Sequence, residues 1–355
     1  MKNTGDTKTM LKRFGIILGA ILVVLLITIV VFASVNSKVN DKQLLNILEN
    51  ASKKYYASHK EQLPKVGESS LVDATTLIQD GYMKSFDKLT KNTNCSANVT
   101  VTYTGNEYTY IPYVKCDQYE SATIASKLKS TVVTKDAGLY TDGSTYYYKG
   151  EYVNNYIKIG DTLYRIISID SKGNLKLISN TLTKETYAWD DRYNIEKDQD
   201  DIGINDYEKS RIRESLGNVY NGLSEGVKKY ILNYEWCIDK LTDGSLGTKE
   251  CTKTISDNLG LIYVRDFALA SLDPNCNDSF SSSCKNYNYL DNLFNKNTWT
   301  MTALAENSYE AVMIISDPTP KKTFSSARVA ISFYISGANI YTSGDGSEKS
   351  PYIVR

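Results

Sequence analysis

The chain has 355 residues, with 41 basic and 41 acidic side chains, 28 tyrosines, six cysteines and one histidine. Its first 35 residues hold four of the basic and one of the acidic groups, so the remainder carries 37 against 40 and offers no basic stripe for nucleic acid. The lone histidine, His59, excludes zinc sites built on histidine clusters and leaves one ring for any Ser-His-Asp or Cys-His arrangement. It sits in ASHKEQ, a polar helix end where a solvated side chain is expected.

The first predicted element is a membrane span. Phe14 to Ala33 reads FGIILGAILVVLLITIVVFA, twenty residues without a charge, which at about 1.5 Å per residue matches the hydrocarbon core of a bilayer. Lys2, Lys8, Lys12 and Arg13 precede it against Asp6, which predicts a cytoplasmic tail at 1–13, an anchor at 14–35 and everything beyond about residue 36 outside the cell. The alternative is a signal peptide cleaved after Val31-Phe32-Ala33, but such h-regions run only about 7–15 residues.

A membrane-proximal unit follows at 36–120. Asn40 is placed to cap a helix through DKQLLNILENASKKYYASHK, whose stripe is Leu44, Ile47, Leu48, Ala51 and Tyr55. Pro64 ends that region, and a short second helix begins after Asp73 and stops at Gly81. ANVTVTYT and EYTYIPYVK then alternate about Gly105-Asn106, a two-residue hairpin turn. Partners across that turn have positions summing to 211, as Cys95 and Cys116 do, at a non-hydrogen-bonded site where Cα atoms lie roughly 4.5 Å apart, within disulfide range. Residues 121–145 are polar, lack a sustained apolar stripe and read as a linker with room for one strand.

A larger distal unit is predicted at 146–355. It opens with the hairpins YIKI-GD-TLYR and TLYRIISIDSKGNLKLIS. Two helices are expected next, at about 206–222 and from Ser224 through Tyr234, the second on the spacing of Val227, Tyr230, Ile231 and Tyr234. NLGLIYVRDFALA reads as an apolar strand feeding a short helix, and TWTMTAL, YEAVMIIS and ARVAISFYI as strands. Gly344-Asp345-Gly346 lacks the spacing of a phosphate loop and reads as a turn.

The membrane run, amphipathic helix, small helix and disulfide-closed hairpin resemble the pseudopilin-like surface proteins of low-GC Gram-positive bacteria. The departure is at Arg13-Phe14-Gly15-Ile16, where the apolar run has no Glu at its fifth position, so the prepilin cleavage motif is missing and a static anchor is favoured. The distal unit resembles a domain of unknown function in surface proteins of the same bacteria. The resemblance is carried by Leu216, Tyr220 and Leu223, by Gly260 to Ala270, by Trp299 to Thr302, and by Gly344-Asp345-Gly346 with Pro351-Tyr352. Its order of elements is similar to C-type-lectin-like and formylglycine-enzyme-like folds, an analogy that implies no activity.

The resulting expectation is an α+β protein: a single N-terminal transmembrane helix, a small pilin-like α+β unit and a larger lectin-like α+β domain. Cysteines at 95/116, 237/251 and 276/284 are expected to pair locally as three disulfides, although six cysteines allow 15 pairings. Asp198-x-Asp200-Asp201-x-Gly203 imitates the opening of a calcium loop, then fails at Ile202 and Lys209. A solvated loop is favoured over calcium at Asp198, Asp200 and Asp201. Lectin-like ligand loops would fall at 236–258 and 271–298, with Trp236, Tyr287 and Tyr289 as stacking residues. The function expected is a membrane-anchored, non-enzymatic surface protein that binds a cell-wall or host glycan or another surface protein. The alternatives are an envelope-acting enzyme using carboxylates such as Asp190 or Asp266, and a pseudopilin-like assembly component.

Overall fold

The computed structural model describes residues 38–66, 68–91, 94–103, 108–117, 119–197, 199–246 and 250–355. The expected anchor at 14–35 and the turn Gly105-Asn106 lie outside these residues. Among the described residues no helix is long and apolar enough to cross a membrane.

Asn40 opens helix α1 (Asp41–Ser58) through a capping box, its side chain accepting from the Gln43 N–H while Gln43 Oε1 accepts from the Asn40 N–H. Leu44, Leu48, Ala51 and Tyr55 are buried, as their spacing predicts. The stripe packs on a four-stranded antiparallel sheet of β1 (Ser69–Asp73), β2 (Cys95–Tyr103), β3 (Tyr108–Cys116) and β4 (Tyr119–Glu120), in that order. The β2–β3 register pairs Cys95 with Cys116 and Val99 with Pro112, and the Cys95–Cys116 bond spans 4.1 Å between Cα atoms. Between β1 and β2 run helices α2 (Ala74–Gln79) and α3 (Phe86–Leu89). Leu44, Leu48, Leu77, Val99, Val101 and Val114 form the centre of this first core.

A second core begins at Ile124. Residues 121–145, read as a linker, carry helix α4 (Ile124–Lys129), capped by Thr123 Oγ1 accepting from the Ser126 N–H at 3.1 Å. They also carry strand β5 (Gly138–Thr141). Ile124, Leu128 and Leu139 are buried in the larger cluster, so this stretch packs into the second unit. There β6 (Tyr146–Lys149), β7 (Tyr156–Ile159), β8 (Thr162–Ile169) and β9 (Leu175–Ser179) join β5 in an eight-stranded sheet.

The chain leaves that sheet through β10 (Tyr187–Ala188), α5 (Arg211–Asn221), α6 (Glu225–Lys228), β11 (Tyr234–Cys237), β12 (Thr254–Asp257) and α7 (Val264–Leu269). It then forms β13 (Thr298–Ala303), β14 (Glu310–Ile314) and β15 (Pro318–Lys322), a separate three-stranded sheet, and β16 (Ser326–Ala327), which pairs with β10. It returns to the large sheet in β17 (Ser332–Ile335), β18 (Tyr341–Ser343) and β19 (Tyr352–Val354). The last strand pairs in parallel with β7, Tyr352 opposite Ile157, so the two ends of the unit meet. Gly344-Asp345-Gly346 is a turn before it, with the Gly346 N–H donating to Ser350 O at 3.0 Å.

The α+β class expected from the sequence is corrected by these elements. Among the described residues there are nineteen strands and seven α-helices, five of the helices six residues or shorter, and the class is β-rich. The helix expected from Ser224 through Tyr234 shows why. It stops at Lys228, after which Ile231 bridges to Ile335, the Leu232 N–H donates to Tyr334 O, and Tyr234 starts β11. A strand partner took the backbone groups that a second helical turn would have used.

Candidate ligand-binding cleft

Both distal disulfides close loops on one face of the second unit. The loop between β11 and β12 is shut at its base by Cys237–Cys251, with Cα atoms 5.7 Å apart, and the later loop by Cys276–Cys284, at 4.7 Å. Within the first loop the Asp239 carboxylate accepts from the Thr252 N–H, the Thr252 hydroxyl and the Lys253 N–H at 2.7–2.8 Å. Burial pushes the Asp239 carboxyl up, but these hydrogen bonds outweigh it and hold the group below its ordinary value. The two loops are tied together: the Ser279 N–H donates to Gly244 O at 2.7 Å, and Ser245 bridges to Asp278. A Cβ at Gly244 would run into the Asp278 carboxylate, so glycine permits this approach. Backbone bonds from Leu241 to Ala303 and from Ala305 to Leu241 fix the same loop to the end of β13.

Between the first loop and the start of α7 lies a cleft of about 600 Å³, with Lys240, Thr242, Glu250, Arg265, Asp266 and Thr302 among its lining. A second cavity, of about 390 Å³, shares Leu241 and Thr242 with it and is walled by Phe280, Leu304, Pro318 and Pro320. The face therefore offers a polar, mixed-charge end and an apolar end joined at Thr242. Pockets of this size, largely preformed, are the usual form of a small-ligand site.

Asp266, which lines the cleft, is one half of a buried ion pair. Lys176, on β9, is 1% exposed, and its ammonium donates to Asp266 Oδ2 at 2.6 Å. Asp266 also accepts from the Tyr263 N–H at 2.8 Å, which caps α7. The ammonium lies 4.3 Å from the Tyr263 ring centroid, 5.3 Å from that of Trp236 and 5.9 Å from that of Tyr334. Burial pushes the Lys176 amine down and Asp266 opposes that shift. The Tyr263 hydroxyl donates to Cys237 O at 2.9 Å, which links this cage to the disulfide loop above it.

The geometry corrects two of the expected stacking residues. Trp236 and Tyr289 are each 1% exposed. Trp236 faces Lys176 and Tyr334, donates from Nε1 to Asp257 O, and is covered by Gly260, where a Cβ would come within 2.7 Å of the indole. Tyr289 lies 4.6 Å from the buried Arg165 guanidinium. The faces a sugar would need are taken by cations of the same chain. Tyr287 is 63% exposed, and it lines neither of the two cavities on this face.

Asp198 lies outside the described residues. Asp201 is paired with Lys322 at 3.0 Å and accepts from the Ile202 N–H, while the Asp200 N–H donates to the Tyr309 hydroxyl. Among the described residues the one grouping with metal-ligand spacing is Cys237, Asp239 and Cys251, and its sulfurs are bonded to each other. The carboxylates offered for the enzyme alternative do not converge. Asp190 is fully buried against Arg192 at 2.7 Å, whereas Asp266 is held by Lys176. His59 stacks on Tyr55 in the first unit with centroids 4.2 Å apart.

Sequence reasoning missed Lys176 and Arg165. The available signal was a lone cation inside an apolar strand, in LKLIS and in LYRII. No protein-family model, curated protein or solved structure matches the chain.

Proposed function

We propose that this chain is a surface protein held in the membrane by its apolar run at Phe14 to Ala33, presenting a disulfide-bonded binding unit outside the cell. The single observation that supports binding is the convergence of both distal disulfide loops on one preformed face, where a rigid rim spares the ordering entropy a free loop would lose on contact. The ligand classes that fit are a cell-wall or host glycan, or a segment of another surface protein, lying from the polar end at Lys240 and Arg265 toward the apolar end at Phe280 and Pro320. Three disulfides are in keeping with an oxidising, extracytoplasmic setting. Catalysis by paired carboxylates is the weaker reading, because Asp190 and Asp266 are each neutralised by their own cation.

Thr242 is exposed and borders both cavities, so Thr242→Trp fills the junction without touching a core. The test is an array of cell-wall polymers, host glycans and surface proteins probed with the full chain in detergent. The variant is expected to lose at least about tenfold in affinity for whatever the wild type retains. Equal retention by the two proteins would remove this face from the proposal.

A further inference from the structure

We propose that Lys176 and Asp266 are joined by an amide bond, an internal cross-link between β9 and the first turn of α7. The two groups are 90 positions apart in sequence and their N and O atoms are 2.6 Å apart. The Lys176 side chain is 2% exposed and ringed by Tyr263, Trp236 and Tyr334. A proton passing from the ammonium to the carboxylate leaves a neutral amine against a neutral carboxylic acid. Burial favours that neutral amine, against the pull of Asp266.

The amine lone pair then attacks Asp266 Cγ. The N–C bond forms, the C–Oδ2 bond breaks, and the Oδ2 hydroxyl, which holds the proton received from the ammonium, takes a second proton from the nitrogen and leaves as water, with Oδ1 left as the amide carbonyl. Neither an oxidant, a reductant nor an activating nucleotide is required. The Tyr263 N–H donates to the same Oδ2 at 2.8 Å, where it would stabilise charge on that oxygen as it departs. In water such a condensation is opposed largely by the hydration both ions give up, and here burial has already removed most of it. Fixed contact adds an effective molarity on the order of 10⁵–10⁸ M for well-oriented groups. Asp266 is the less buried partner, at 14%, and borders the cleft as well as a cavity of about 200 Å³ behind it, so the water has an exit.

The test is the intact mass of the purified full-length chain after complete thiol reduction, with peptide mapping. The expected result is a mass one water below that of the sequence, and a reduction-resistant species joining the peptides that hold Lys176 and Asp266. Lys176→Met and Asp266→Ala should each restore the full mass. A reduced wild-type chain at full mass, with Lys176 open to amine labelling after denaturation, would overturn the proposal. The wild-type map decides the matter even if neither variant folds.

Discussion

Replacing Asp266 with alanine is expected to lower the stability of the second unit by about 3–5 kcal/mol, because it strands the Lys176 charge among aromatic rings. The three tryptophans, Trp189, Trp236 and Trp299, are all buried in that unit's core, so their fluorescence follows its unfolding in denaturant. Adding Lys176→Met to Asp266→Ala removes the stranded charge and should restore that part of the loss, leaving only what the proposed cross-link itself contributes. The single variant should also show a distinctive pH dependence. With Asp266 gone, nothing on that side opposes the burial that lowers the folded amine below its ordinary value of 10.5. The unfolded chain then binds the extra proton, so stability rises as pH climbs from the folded value toward 10.5 and is lost as pH falls through the folded value. A variant as stable as the wild type at neutral pH would show that the pair carries no structural role.

Cys95→Ser with Cys116→Ser is expected to cost about 3 kcal/mol in the chain-entropy view, given a sequence separation of 21. The loss should stay in the first unit. Its core is a separate cluster ending at Cys116, and the side-chain ties to the second unit include half-buried Arg355 with Glu49 at 3.6 Å and with Asn46, and Thr109 with the Lys229 carbonyl at 3.4 Å. Hydrogen exchange should therefore show protection lost across α1 and β1–β3, with the tryptophan transition of the second unit nearly unmoved. A common shift of both would mean that the two cores unfold as one.

The first unit was the more legible in sequence. A two-residue turn and a cysteine pair fix one register across a hairpin, and an eighteen-residue helix repeats its stripe often enough to be read. β1 escaped notice because only Val72 among its five residues is buried, which leaves no alternation to see. In the second unit the elements are short. Val227, Tyr230, Ile231 and Tyr234 share a helical spacing, yet Ile231 bridges to Ile335 and Tyr234 stacks on Tyr334, partners about 100 positions away. Nothing local records such partners.

The site was misread for a related reason. Trp236 and Tyr289 were sensible stacking residues by type and by loop, but a sequence does not say which side of an aromatic ring is already covered. Lys176 and Arg165 cover them. The rim itself was readable, since the cysteines marked the loop at 237–251 that borders the cleft, while the lining residues Lys240, Thr242 and Arg265 carried no motif.

Outward display is the central claim, and protease treatment of intact cells tests it most directly. Fragments from residues 38–355 should be released, while a tag placed before Lys2 stays protected. Protection of the 38–355 region in intact cells, with cleavage only after lysis, would contradict it.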